Sequence, residues 1–289
     1  MSRFEGRGHG KLILTGEHAV VYGHAALAVA VDRGTTVRLW SCEGATRTDP
    51  TTPCDDRLQM ALLRALPAQG WCVQIESDVP IGRGMGSSAA LSVGLVRALA
   101  NAEGRAPDTT TIFEQSLALE RIFHGTPSGL DNAVSARGGA LRYRRGPPAS
   151  FVTVPCPTWP LVVLDSGVSG NTAQLVAEVG RRRPSIDPVL HAIGELVTEV
   201  ERALGSPEDL GPLLTQNHEL LRRIGVSNNV LDGMVDLALR AGASGAKLAG
   251  AGGGGVVIAL APDPDAIVRA AINAGMNAFI CHPVPRAAQ

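Results

Sequence analysis

Two glycine clusters, each set beside apolar sequence, constrain this chain more than anything else in it. The first is Pro80-Ile-Gly-Arg-Gly-Met-Gly-Ser-Ser-Ala89, and the second is Lys247-Leu-Ala-Gly-Ala-Gly-Gly-Gly-Gly-Val-Val-Ile258. Ordering four consecutive glycines between apolar strands carries a large entropy penalty. A solvent-exposed linker would have polar flanks instead. The second cluster therefore reads as a loop that comes close to a ligand or to another stretch of backbone. In the first cluster, three glycines at alternate positions separate a strand from an apolar helix. The helix start presents unpaired N–H groups and the positive end of the helix dipole, which together suit a di- or triphosphate. The alternative is a turn with a serine N-cap. No Gly-Lys-Ser/Thr follows, so this is not a Walker A loop.

Positive charge is nearly all arginine. Of 26 basic residues only Lys11 and Lys247 are lysines, and both border glycine-rich sequence. Lysine and arginine differ in shape and in how burial moves their pKa. Each of these lysines is either a chemical requirement or chance. The net charge of -1 leaves no basic field for nucleic acid. No apolar run reaches the roughly 18 residues of a membrane helix, and no signal peptide is seen. Cys42, Cys54, Cys72, Cys156 and Cys281 are odd in number and scattered, which suggests neither a zinc site nor a disulfide framework. The expectation is a soluble protein of the reducing cytoplasm.

Periodicity predicts strands at 11–15, 35–41, 71–76, 140–143, 151–154, 161–164 and near 277–281, with a strand–loop–strand unit at 246–260. Helices are expected at 55–66, 87–102, 109–123, 172–182, 188–204, 208–223, 228–241 and 264–274. The second of these is apolar nearly all round, so it should be central and buried. Residues 144–148 form a turn, and the Pro-rich stretch 155–160 is the best linker. Both halves mix strands and helices, which predicts an α+β pair of domains, 1–155 and 156–289.

Three side chains stand out chemically. Glu120 falls on the apolar face made by Ile112, Phe113, Ser116, Leu117, Leu119, Ile122 and Phe123. A carboxylate there needs a partner, either an arginine or a metal such as Mg²⁺. Asp131 follows Ser128 in a capping-box spacing, and it reads either as a cap or as a general base held at a helix start. His18, beside Glu17 at a strand end, is by itself more simply structural.

Taken together, these segments resemble the GHMP kinases over nearly the whole chain. Within that superfamily the chain is most similar to the mevalonate kinases. Gly10-Lys-Leu-Ile-Leu-Thr-Gly-Glu-His-Ala-Val-Val-Tyr-Gly23 resembles their first motif. Glu120-Arg-Ile-Phe-His-Gly-Thr-Pro-Ser-Gly-Leu-Asp-Asn-Ala-Val134 resembles their catalytic segment. Asn217-His-Glu-Leu-Leu-Arg-Arg-Ile-Gly-Val-Ser227 and the Lys247 loop resemble their C-terminal signatures.

The resemblance implies a two-domain GHMP kinase fold. Its N-terminal domain would be like ribosomal protein S5 domain 2, and its C-terminal domain ferredoxin-like. It implies ATP and Mg²⁺, mevalonate as the acceptor, phosphorylation at the C5 hydroxyl, and a homodimer. Asp131 matches the catalytic base. Lys11 matches a lysine near the acceptor hydroxyl and that aspartate. Ser88 and Glu120 match the metal ligands. Gly82, Gly84, Met85, Gly86, Ser87, Ser88 and Ala89 match the ATP phosphate loop. Glu17 and His18 match the acceptor-binding motif, and Gly250, Ala251 and Gly252 match a loop that buttresses the site.

Three positions depart from the pattern. Val168-Ser-Gly-Asn-Thr172 lacks an expected basic residue, with Gly170 in its place, and Arg83 and Met85 replace a small residue and a leucine. A different GHMP kinase, acting on phosphomevalonate or a sugar, and a nucleotide sensor without activity are the rival expectations.

Overall fold

A computed structural model describes residues 2–52, 54–125, 127–146 and 149–286. Pro147 and Pro148 of the expected turn, and Thr126 of the Glu120 segment, lie outside the described residues. The chain forms two compact units, each assembled from separate segments. One comprises the residues up to Gly10, Arg33–Ile81 and Gly86–Arg137, and the other comprises Lys11–Asp32, Gly82–Met85 and the chain from Gly138 onward. Among the described residues no helix is long and apolar enough to cross a membrane.

Strand β1 runs over Phe4–Thr15 and β2 over Ala25–Ala45, and each passes from one unit into the other. In the first unit, the second half of β2 pairs antiparallel with β4 (Gln69–Ser77), with Thr35 opposite Ser77. The short β3 (Arg47–Thr48) lies parallel to β4. Four helices belong to this unit: α1 (Asp56–Ala65), α2 (Ser87–Ala102), α3 (Thr109–His124) and α4 (Leu130–Arg137). Asp55 caps α1 by accepting from Leu58 N, and Asp108 caps α3 by accepting from Thr111 N. Helix α2 is the expected buried helix, with Ala89, Ala90, Val93, Leu95, Val96 and Ala98 inside.

Both long strands exceed their predicted lengths, for physical reasons. The start of β1 alternates glycine with charged and polar residues, which hides any hydrophobic period. The glycines are there because α2 lies against the strand backbone. A Cβ on Gly8 would come 2.1 Å from Ala90 O. The first half of β2 is alanine-rich, a composition with weak strand preference.

In the second unit, the first half of β2 pairs antiparallel with β5 (Ala140–Arg144), which pairs with β6 (Ser150–Val154). A separate four-stranded antiparallel sheet contains β7 (Leu161–Asp165), β8 (Gly245–Ala249), β9 (Val256–Leu260) and β10 (Asn277–Cys281). Its spatial order is β10-β7-β9-β8. Numbered by chain position that order is four-one-three-two, the ferredoxin-like arrangement expected of the C-terminal half. Along the chain α5 (Thr172–Arg182), α6 (Asp187–Ala203), α7 (Pro207–Arg223) and α8 (Asn229–Arg240) separate β7 from β8. Helix α9 (Pro264–Asn273) separates β9 from β10.

A buried polar network crosses this unit. Lys247 on β8 is fully buried, its ammonium paired with the Glu17 carboxylate and donating to Ile13 O at 3.2 Å. Asn217 of α7 donates to the other Glu17 oxygen at 3.1 Å. Burial pushes the Lys247 pKa down, and the Glu17 charge opposes that shift. Next to Asn217, His218 accepts the Leu248 N–H at Nδ1 (3.3 Å) and directs Nε2 at Asp232 Oδ1 (3.2 Å). The backbone donor requires a lone pair on Nδ1, so the ring is neutral with its proton on Nε2. Desolvation lowers the His218 pKa, with Asp232 opposing.

Lys247→Met leaves Glu17 charged and buried, so it is expected to destabilise the protein by about 3–5 kcal/mol. Adding Glu17→Gln should recover part of that loss. Urea unfolding of both variants checks this, and a single variant as stable as the parent contradicts it. His218 gives a pH dependence of definite sign. Its folded pKa is depressed, so its contribution to stability is complete above the ordinary histidine value near ~6.5 and is lost as pH falls below it. The stability gap between the parent chain and His218→Gln should therefore narrow on acidification from pH ~8 to ~5. A gap that stays constant across that range refutes the assignment.

Candidate functional site

The glycines at 82, 84 and 86 all adopt the left-handed backbone region, with φ of 72°, 84° and 71°. At Gly84 the choice is doubly forced, because a Cβ would also meet Ala249 O at 3.1 Å. Gly86 occupies the N-cap of α2, so the alternative of a serine cap gives way to a residue with no side chain. The first-turn amides of α2 therefore receive no acceptor from the cap residue itself. Ser87 and Ser88 are partly exposed, whereas the side chains of Met85 and Ala89 are buried.

Glu120 is 3% exposed and sits on α3 where the helical wheel placed it. Its Oε1 accepts from Ser88 Oγ at 2.7 Å, and its Oε2 from Ser92 Oγ at 3.4 Å. The ionic partner is His124 Nδ1 at 2.8 Å, one helical turn on, rather than an arginine. The hydrogen bond to Glu120 raises the His124 pKa, and the Asp131 charge adds to that. Sequence reasoning missed His124, although its i,i+4 spacing from Glu120 was a usable signal. The hydroxyl and carboxylate fit Mg²⁺, which takes one or two carboxylates and completes its shell with phosphate oxygens and water. Among the described residues no group of three or more His, Cys, Asp or Glu side chains could form a closed metal cage.

Asp131 is half-buried in the first turn of α4. Gly129, one residue after Ser128, takes the N-cap place, its carbonyl accepting from Ala133 N at 3.0 Å. Ser128 Oγ accepts from Leu130 N at 3.3 Å. Helix α4 is pinned at its other end, where Arg97 of α2 donates to Ala136 O at 2.7 Å. Asp131 thus rides on a short helix fixed at both ends.

The remaining candidates belong to the second unit. Lys11 is 3% exposed, its Nζ donating to Gly84 O at 3.0 Å and its own N–H to Met85 O at 2.9 Å. Both bonds hold the glycine loop to β1. Glu17 has both oxygens engaged in the buried network, which binds the turn it occupies to β8 and α7. His18 follows with φ of 59°, the one positive φ at a non-glycine position among the described residues. Its Nε2 lies 2.8 Å from Ala251 O, which joins the first motif to the second glycine loop. Burial lowers the His18 pKa.

Backbone hydrogen bonds also hold the loop containing Gly250, Ala251 and Gly252. Gly253 N donates to Val226 O (2.9 Å) and Gly255 N to Val168 O (2.7 Å). The departure at Gly170 has a steric cause, since a Cβ there would lie 2.2 Å from Gly252 O. Within the first unit, Ser88, Glu120, His124 and Asp131 therefore come together. Within the second, Lys11, Glu17, His18, Gly84 and Ala251 do.

Two family models match the chain. The GHMP kinases N terminal domain matches residues 57–139, and the GHMP kinases C terminal domain matches residues 196–278. A mevalonate kinase from Pyrococcus abyssi is 36% identical, over 91% of this chain and 90% of the relative. The mevalonate kinase of Thermococcus sibiricus is 34% identical with the same coverage. Among solved structures, L. major mevalonate kinase in complex with R-mevalonate superposes with a TM-score of 0.84 at 27% identity, covering 97% of this chain and 96% of the other. The Methanococcus jannaschii mevalonate kinase gives a TM-score of 0.85 at 25% identity, covering 98% of each chain. The chain belongs to the GHMP kinase family, in company with its mevalonate kinases.

Proposed function

We propose that the chain transfers the γ-phosphoryl group of ATP to the C5 hydroxyl of mevalonate, giving 5-phosphomevalonate and ADP in the mevalonate route to isoprenoid precursors. The observation that carries the chemistry is the Ser88–Glu120 pair beside the start of α2, a carboxylate and a hydroxyl set next to amides suited to phosphate. The acceptor is argued from the mevalonate kinases that match about nine-tenths of the chain.

In this reading the triphosphate lies along Gly82–Ala89, held by loop and helix N–H groups. Glu120 and Ser88 would hold Mg²⁺, which when bound offsets charge on the phosphoryl oxygens. Asp131 takes the proton of the C5 hydroxyl or orients it. Lys11, already fixed on the Gly84 carbonyl, supplies positive charge to the reacting oxygens. Glu17 and His18 shape the acceptor pocket through the turn they hold, supported by Gly250, Ala251 and Gly252. Phosphoryl transfer depends on positioning and charge stabilisation, so the site needs no covalent nucleophile.

Asp131→Asn is expected to lower kcat by at least about 100- to 10,000-fold while ATP binding stays near that of the parent. A variant with near-normal turnover removes Asp131 as the base. A coupled ADP-release assay across mevalonate, phosphomevalonate, galactose and homoserine tests the acceptor. Mevalonate should give the highest kcat/KM. A sugar or phosphomevalonate in first place would replace the proposed acceptor, and ATP binding with turnover on none would mark a sensor.

A further inference from the structure

The side chain of Arg83 lies within the first glycine loop, between Gly82 and Gly84, and is 20% exposed. One ionic contact holds it, Nε to Asp165 Oδ1 at 3.5 Å, at the end of β7. That oxygen also accepts from Gly167 N at 3.0 Å, so the aspartate is shared. Arg83 Nη1 is buried and has no hydrogen-bond partner. A guanidinium carries five donors in a rigid fork, and leaving one buried and unmet is costly. The backbone around it is closely packed. A Cβ on Gly255 would lie 2.8 Å from Arg83 O, and one on Gly82 would lie 3.3 Å from Ser169 Oγ. The segment beside it has no room for a cation of its own, since Gly170 abuts Gly252 O.

We propose that Arg83 is a further substrate-binding residue, its partly exposed guanidinium donating to an oxyanion of a bound substrate, either a phosphoryl oxygen of the nucleotide or the carboxylate of the acceptor. The shared chemistry is a charge-assisted N–H···O⁻ bond, stronger and more directional than a neutral one. Asp165 orients the guanidinium through Nε. This inference rests on the phosphotransfer reading above.

The test compares Arg83→Met with Asp165→Asn, both checked for cooperative thermal unfolding. Arg83→Met should lose about 10- to 100-fold in kcat/KM, the range for one hydrogen bond to a charged group. A rise in KM for ATP identifies the phosphoryl oxygen, and a rise in KM for mevalonate identifies the carboxylate. Asp165→Asn keeps the donor and should lose less than about a tenth as much, as expected for a partly exposed ion pair. Added guanidinium ion should restore part of the activity of Arg83→Ala, which a purely structural clasp would not allow. Kinetic constants for Arg83→Met within about twofold of the parent overturn the inference and leave the proposed activity standing, as a twofold change is well below one such bond. Equal losses in Arg83→Met and Asp165→Asn also overturn it, by reducing Arg83 to a tie between loop and strand. A parent chain inactive on mevalonate removes the functional reading and this inference with it.

Discussion

The buried pairing of Lys247 with Glu17 is the interaction on which the second unit depends. It brings a cation from the middle of β8 against a carboxylate in the turn after β1, and Asn217 of α7 completes the shell. Neither charge is near water, so each is tolerable only while the other is in place. The same turn then presents His18 in a left-handed conformation that a β-carbon disfavours, and the Ala251 carbonyl holds its ring. Strain of this kind persists only where surroundings over-determine it. The ion pair, the asparagine and the second glycine loop supply that over-determination. Glu17 and His18 therefore fix the shape of this turn, with the glutamate engaged entirely within the protein.

In the first unit the comparable constraint is steric. Helix α2 rests on glycines of β1 at distances that no β-carbon permits, and this sets where its N-terminus emerges. Against that fixed helix start, α3 delivers Glu120 to Ser88, and Arg97 ties α4 with Asp131 back to α2. Two strategies thus coexist: close backbone contact where phosphate chemistry is expected, and charge neutralisation where the acceptor is expected. The only two lysines are divided between them. Lys11 braces the glycine loop, and Lys247 is confined to the interior.

Much of this was legible in the residues. Regular helices with clear caps, such as α1 after Asp55 and α3 after Asp108, were placed within a residue or so because local hydrogen bonding decides them. The buried face of α3 exposed Glu120 as an anomaly, and the fold makes it one. The long strands were under-read because glycine and alanine carry no period. His124, one turn from Glu120, was overlooked because only an arginine or a metal was weighed as the partner of that carboxylate. Ser128 and Asp131 fitted a capping pattern, but the sequence did not show that Gly129 between them enters the left-handed region and that its carbonyl accepts from Ala133 N. Steric exclusion at Gly170 and the unmet donor on Arg83 were beyond any one-dimensional reading, because both arise from segments far apart in sequence.

The interleaving of the two units has a consequence during biosynthesis. Glu17 leaves the ribosome 230 residues before the lysine that neutralises it. At translation speeds of about 5–20 residues per second, that is a wait on the order of 10–50 s. Throughout that interval the nascent segment around Leu12, Ile13 and Leu14 lacks the strand and helix that will cover it. The first motif can therefore settle only once Lys247 has been made.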